Sequence, residues 1–353
     1  MWRSAEFWLR VTAAAILVLL PIVAPGILFP FGLSLFLAIL LKPLANGIQK
    51  AICRMGLVKF PYDLSIIVAF LIFLTVLYLI ATYVLVPFGR QFQEFIKQVP
   101  ILLNEVQQAL LQMEAQYNVA AMPQEGKQLI GSILEKIGNY TLSLASFSLS
   151  AVFSLASTMV ELIVVPVITF YMIKIGGRFV RGFIALFPQN YRPHLTRLFE
   201  EMNRVLSAYI VGQLSLSVLM TVVIFLGMLA LGIPYPLVIG LLAGVVEMIP
   251  VVGPIVGAVP AILLGLAESS GLAVKVLIFY IVVQQLDAHL VMPKLMGSVT
   301  NVHPVAIILG VLVGGQLYGI VGMMVAVPVL AVLQILLRHM WYYDIYKSKG
   351  GES

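Results

Sequence analysis

Four carboxylates stand in apolar or loop-like surroundings: Glu161 in ASTMVELIVVP, Glu247 in VVEMIPVVGPIVGAVP, Glu268 in GLAESSG and Asp287 in QQLDAHLVMP. A charge at the centre of a bilayer costs roughly 2.5–3.5 kcal/mol on insertion scales, so such a residue normally faces a cavity or a partner. Glu268 sits among serines and glycines in what reads as a loop and needs no function. Glu247 stands just before IPVVGP, where Pro250 and Pro254 remove backbone donors and leave nearby carbonyls without helical partners. Unwound backbone at membrane depth survives only where protein or water covers it. Freed carbonyls beside a carboxylate make a site for a proton or small cation, and a half-helix N-terminus there can face an anionic or polar group. Glu247, Asp287 and Glu161 are the candidate ion-binding acids. The plainer reading of each is a protonated or hydrogen-bonded carboxyl that holds helices together.

Neighbouring polar residues extend the set. Gln284 shares a helix face with Asp287 at three-residue spacing, and Gln285 and His289 lie on the adjacent face. A second break, GGQLYG, carries Gly314, Gly315 and Gly319 and holds Gln316, an amide beside the position that corresponds to Glu247. Gly253 with Gly257, and Gly240 with Gly244, also have the small-xxx-small spacing of close helix packing. His303, just before Pro304, reads first as a cap and second as a functional residue, and His194 and His339 read as surface or interface residues. No HExxH, paired cysteines or Glu-x-x-His occurs, and neither does a phosphate loop or a Ser/His/Asp arrangement. No metal, cofactor or enzymatic activity is expected, and an ATPase site least of all.

The elements that must hold these residues are membrane helices. The chain has 353 residues, 61% apolar and 10% charged, against about 25% charged in soluble domains. Residues 64–89, 205–246 and 295–337 carry no Asp, Glu, Lys or Arg, and about 20 apolar residues span a bilayer core. The expectation is an all-α polytopic membrane protein with about eight membrane segments. Nucleic-acid binding is not expected despite a net charge of +6, because no basic reading face appears outside the membrane. The single cysteine, Cys53, excludes an intramolecular disulfide. The N-terminal run reads as an uncleaved first span rather than a signal peptide.

Residues 1–89 are read as three spans, the first two broken near Pro25–Gly26. Residues 90–143 form an amphipathic helical segment, with Phe88, Phe92, Phe95, Val99, Leu102, Val106 and Leu110 along one face. Residues 144–206 hold a fourth span and a loop with Lys174, Arg178, Arg181, Arg192, Arg197 and Arg204. This loop and Lys42–Lys59 are placed in the cytoplasm by the positive-inside rule, with the 90–143 segment outside and both termini inside. Residues 207–341 form a transport half, and 342–353 a tail. At a constant offset of 68, segment 236–266 repeats in 304–334, pairing Pro236 with Pro304 and Ala258-Val259-Pro260 with Ala326-Val327-Pro328. Each copy reads as an apolar arm, a Gly/Pro-rich break and a second arm. Read as re-entrant hairpins entering from opposite faces, they follow the inverted-repeat, broken-helix design of secondary transporters. Eight plain spans would also leave the C-terminus inside. The side on which Lys294 lies separates the two: inside for hairpins, outside for plain spans.

YIVGQ (209–213), GIPYPLVIGLLAGVVEMIPVVGPIVGAVP, QQLDAHLVMPKLMG and NVHPVAIILGVLVGGQLYGIVGMMVAVPVLAVL together resemble the autoinducer-2 exporter family of bacterial membrane proteins. The likeness is specific from about Phe187 onward and rests on span order before that. The family's E-x-I-P-x-x-G-P pattern falls on Glu247, Ile249, Pro250, Gly253 and Pro254, and a second signature on Asp287, Pro293, Gly297, His303 and Pro304. The resemblance implies a homo-oligomer in the bacterial inner membrane that moves small polar molecules or ions, by autoinducer-2 export or by sodium–proton exchange.

The leading expectation is a secondary active transporter that exports a small polar molecule or exchanges sodium for protons by alternating access, with Glu247 and Asp287 at a central site. A passive channel would show flux without ion coupling. A membrane scaffold or regulatory protein would show none, yet gains nothing from unwinding helices beside buried acids.

Overall fold

The computed structural model describes residues 25–54, 60–116, 132, 159–296 and 302–341. The expected first span, the start of the fourth and the tail lie outside the described residues. All regular structure among the described residues is helical, as it must be where lipid offers the backbone no partners.

The elements are α1 (Pro25–Arg54), α2 (Tyr62–Ile80), a π turn (Ala81–Leu85), α3 (Val86–Gln116), α4 (Met159–Ala185) and, after a short 3-10 turn at Gln189–Tyr191, α5 (Arg192–Leu231). There follow α6 (Pro236–Val246), α7 (Val252–Glu268), α8 (Ser270–Leu286), a second π turn (Asp287–Val291), α9 (Met292–Met296) and α10 (Pro304–Trp341). Among the described residues, Pro30–Arg54, Tyr62–Gln98, Gln189–Leu231, Ser270–Leu295 and Pro304–His339 are long and apolar enough to cross a membrane. The two segments read as basic loops are largely helical. Lys42 and Lys50 lie within α1, and Lys174, Arg178 and Arg181 within α4, so the break between α4 and α5 shrinks to the few residues around Pro188. Lysine and arginine are good helix formers, so a basic stretch reports which side of the membrane it lies on, not whether it is coiled.

The chain forms two compact units, Met1–Thr75 with Phe153–Pro188, and Val76–Val152 with Gln189–Ser353. In the first, α1 and α4 enclose a core of Ala38, Leu41, Ala45, Ile66, Ala69 and Ile173. Buried hydroxyls tie these helices together: Ser34 Oγ donates to Val165 O at 3.3 Å and Thr169 Oγ1 to Ser34 O at 3.3 Å. Lys174 donates to Asp63 at 2.6 Å.

The second unit is built around α5. Tyr209, Leu216, Met220, Ile224 and Met228 recur along α5 at spacings of seven and four, and pack on Val238, Ile239, Ala261, Val276 and Tyr280. Phe92 and Phe95 of α3 join the same core with Phe88 packed against it, which are the first members of the amphipathic face read from the sequence; the side chains of Val99, Leu102, Val106 and Leu110 lie outside the described residues.

Two helical hairpins stand out here. In the first, α6 and α7 lie so close that a Cβ on Gly253 would sit 2.1 Å from Val246 O, and one on Gly257 would sit 3.3 Å from Ala243 Cα. The second lies within α10, whose helical dihedrals fail at Tyr318 (φ −135°, ψ 17°) and Gly319 (φ 59°, ψ −140°). Beyond this point the chain doubles back. A Cβ on Gly314 would meet Gly322 O at 2.4 Å, and one on Gly310 would meet Leu330 Cδ1 at 2.5 Å, whereas residues eight apart in a straight helix are about 12 Å apart. The tips correspond in position and in the sign of φ. Val251 (φ 68°) and Gly319 (φ 59°) both take a left-handed φ, and they are 68 residues apart, the offset at which the sequence repeats. The hairpins touch where Ile249, at the first tip, packs on Val311 and Ala326 of the second.

Candidate functional site

The first tip can be built by asking where each carbonyl freed by the break finds a donor. Glu247 N–H still bonds Ala243 O at 2.9 Å, but Met248 N–H turns to Val245 O and Ile249 N–H to Val246 O. Pro250 has no N–H, and Val252 and Gly253 N–H bond within the turn, to Pro250 O and Ile249 O. Gly244 O and Glu247 O are thereby left without their usual helical donors. Side chains of α5 supply the replacements: Ser217 Oγ donates to Gly244 O, and Gln213 Nε2 to Glu247 O at 2.9 Å. A break that would be costly in lipid is capped from the neighbouring helix.

This contact needs a smooth α6 face. A Cβ on Gly244 would overlap Thr221 Oγ1, and one on Gly240 would lie 2.9 Å from Thr221 O. The Gly240–Gly244 spacing serves packing against α5, and Gly253–Gly257 serves packing between the arms of the hairpin.

Glu247 ends up 8% exposed at the tip, and Asp287 6% exposed at the start of the second π turn. They are close enough for their charges to repel, and π turns inside helices recur at functional sites. One buried Asp287 oxygen, Oδ1, has no hydrogen-bond partner. A cavity of about 10 Å³ opens beside Glu247, lined also by Gly253, Pro254, Gly257, Met220, Tyr280 and Gln284. That is room for about one water or one small ion. Tyr280 closes one side by donating its hydroxyl to Gly257 O at 3.2 Å.

Of the residues singled out from the sequence, Glu247, Gln284, Gly253 and Pro254 line this cavity, and Asp287 lies within electrostatic reach of Glu247. Gln316 is exposed on the second hairpin, away from the cavity lining. Gly314 and Gly315 pack the arms of that hairpin, and Gly319 forms its tip. His303 accepts from Val305 N–H at the start of α10, with Pro304 in the first turn. Pro293 is exposed in α9, and Gly297 lies outside the described residues. Glu161 falls in α4, in the other unit, and its side chain lies outside the described residues. Among the described residues no His, Cys, Asp or Glu group is arranged to hold a metal.

A family model described as AI-2E family transporter matches residues 8–341. The chain belongs to the AI-2E transporter family. A relative named "Putative transport protein YueF", from Bacillus subtilis, is 31% identical over 305 residues, covering 85% of this chain and 83% of its own. "Putative permease PerM" of Escherichia coli K12 is 26% identical over 325 residues, covering 90% and 88%. A Mycobacterium tuberculosis protein named "Putative transport protein MT0215" is 26% identical over 331 residues, covering 90% and 85%. Membership in the AI-2E family gives the chain a role in membrane transport. Within the AI-2E fold, sequence reading found the acids and the breaks but missed Gln213, Ser217 and Tyr280. Gln213 and Ser217 are spaced four apart in YIVGQLSLS, and with Tyr209 and Thr221 they make a polar stripe along α5. That stripe was the available signal.

Proposed function

We propose that the protein is a secondary active transporter of the cytoplasmic membrane, with Glu247 and Asp287 at its ion site, and that it exchanges sodium for protons by alternating access. The observation that carries this reading is buried Glu247 lining a cavity the size of one water or one small ion, with a second buried carboxylate, Asp287, within electrostatic reach of it. Like charges close together at low dielectric are stable only when a cation or a proton neutralises them. One site then serves both ions in turn, which is the competition that exchange requires.

The cavity also bears on an organic substrate. Sites for small organic ligands usually enclose about 300–1,000 Å³, far above the cavity beside Glu247. Export of an autoinducer-2-like molecule by this site therefore requires the hairpins to part first. The paired hairpins give the chain the elements to do so: Ile249, at the first tip, packs on Val311 and Ala326 in the arms of the second through a small cluster. Read in the membrane, they are re-entrant segments from opposite faces, with both termini in the cytoplasm. The chain then works as a homo-oligomer whose solute path runs between the hairpins.

The reading is tested in proteoliposomes holding a pH-sensitive dye. An imposed sodium gradient should drive proton movement in wild type, and Glu247→Gln should abolish it while the protein still purifies as a folded species. Undiminished sodium-driven proton movement in Glu247→Gln contradicts the assignment.

A further inference from the structure

The contact between α5 and the first hairpin has one member too many. Tyr209, Gln213, Ser217 and Thr221 follow one another at four-residue spacing on a single face of α5. Gln213 and Ser217 cap the two carbonyls that the break frees, and Thr221 lies against Gly244 and Gly240. Tyr209, one turn beyond Gln213, is 5% exposed, and its hydroxyl has no partner. An unpaired buried hydroxyl costs about 1–3 kcal/mol, and phenylalanine would fill the same space without that cost. The stripe is therefore one donor longer than the described register uses.

The register offers a use for it. α5 and α6 run antiparallel, with Ser217 at Gly244 and Gln213 at Glu247. If α6 slides one turn toward the N-terminus of α5, Gly244 O comes to Gln213 and Glu247 O comes to Tyr209. Every freed carbonyl keeps a donor, and the orphaned hydroxyl gains a partner. The α6 face that would slide presents Gly240 and Gly244 to Thr221, while Val238 and Ile239 beside them must repack one turn along the α5 core.

The backbone at both ends of α6 points the same way. Two non-glycine residues have a positive φ among the described residues, Tyr235 and Val251. One precedes α6 and the other closes the turn after it. A left-handed φ is strained in a β-branched residue above all, and such strain gathers at segments with two arrangements. The Gly232–Tyr235 connection, with left-handed residues at both ends, holds slack that extended backbone would release at up to about 3.5 Å per residue.

We propose that Tyr209 is a positioning residue: its hydroxyl is the second station for the Glu247 carbonyl, reached when the first hairpin shifts one turn along α5 during transport. The shift carries the Glu247 carboxylate about 5.4 Å along α5, which moves the ion site between its two sides. The link to ion exchange rests on the function proposed above. The shift itself does not.

The test pairs a distance with a flux. In a Cys53→Ser background, spin labels replace Leu226 on α5 and Val245 on α6, both exposed, and their separation is measured by pulsed electron resonance. The expected result is two populations about 5 Å apart, with the longer one depleted at least fivefold by Tyr209→Phe. That substitution should slow sodium-driven proton flux about tenfold, without raising the half-saturating sodium concentration and without lowering the melting temperature. A purely structural tyrosine would leave distances and turnover unchanged. A single distance in wild type, or full turnover in Tyr209→Phe, overturns the proposal. Two distances that respond to Tyr209→Phe in a protein with no ion-driven flux would support the shift and refute ion exchange.

Discussion

Gly253→Ala tests the first hairpin at its tightest point. The added Cβ would lie 2.1 Å from Val246 O, 2.8 Å from Val246 C and 3.0 Å from Glu247 Cα. All three are backbone atoms, so no rotamer change can relieve the overlap. The arms must part by about 1 Å, and parting them pulls Glu247 O from Gln213. Overpacking of this kind costs about 1–3 kcal/mol, and a lost buried hydrogen bond adds about 1 kcal/mol. The expected loss is thus about 2–4 kcal/mol, read as a fall of several degrees in thermal unfolding in detergent. Two controls set the scale. Gly257→Ala meets Ala243 Cα at 3.3 Å, which a shift of a few tenths of an ångström relieves, and it should cost under about 1 kcal/mol. Gly47→Ala meets nothing within 4 Å inside α1 and should raise stability by about 0.5–1 kcal/mol. If Gly253→Ala melts with Gly257→Ala, the close approach of α6 and α7 is wrong, and the capping scheme built on it falls too.

Val251→Gly should raise the melting temperature by relieving a left-handed β-branched residue, a gain of about 1 kcal/mol; an unchanged or lower value would show that the tip is not strained. A Lys294→Cys substitution in the Cys53→Ser background should resist a membrane-impermeant thiol reagent applied to intact cells and react after lysis. Labelling from outside would replace the re-entrant hairpins with plain spans.

Much of this site was legible because its residues are expensive where they stand. Glu247 and Asp287 are conspicuous in apolar runs, and the prolines of IPVVGP announce lost backbone donors. The offset of 68 even placed the second tip, since Val251 and Gly319 both take a positive φ at matching positions. Gln213 was hidden for the opposite reason. A lone glutamine among serines and threonines is unremarkable in a membrane helix, and its partner is a main-chain carbonyl 34 residues away. Only the antiparallel register of α5 and α6 brings the two together. Gln316 shows the limit of the repeat from the other side: a matching position in sequence leaves its side chain exposed, because what a residue faces depends on packing that the offset does not encode. The basic stretches misled in another way. Charge assigned them to a side of the membrane, while α1 and α4 continued through them as helix.

The central claim is that sodium and protons compete for Glu247 and Asp287. Its most direct test is proton release from the purified protein in weakly buffered detergent as sodium chloride is added, with choline chloride as the control. The expected result is a saturable release of roughly one proton per chain, seen with sodium but not choline and lost in Glu247→Gln. No release in wild type, or equal release in wild type and Glu247→Gln, would contradict it.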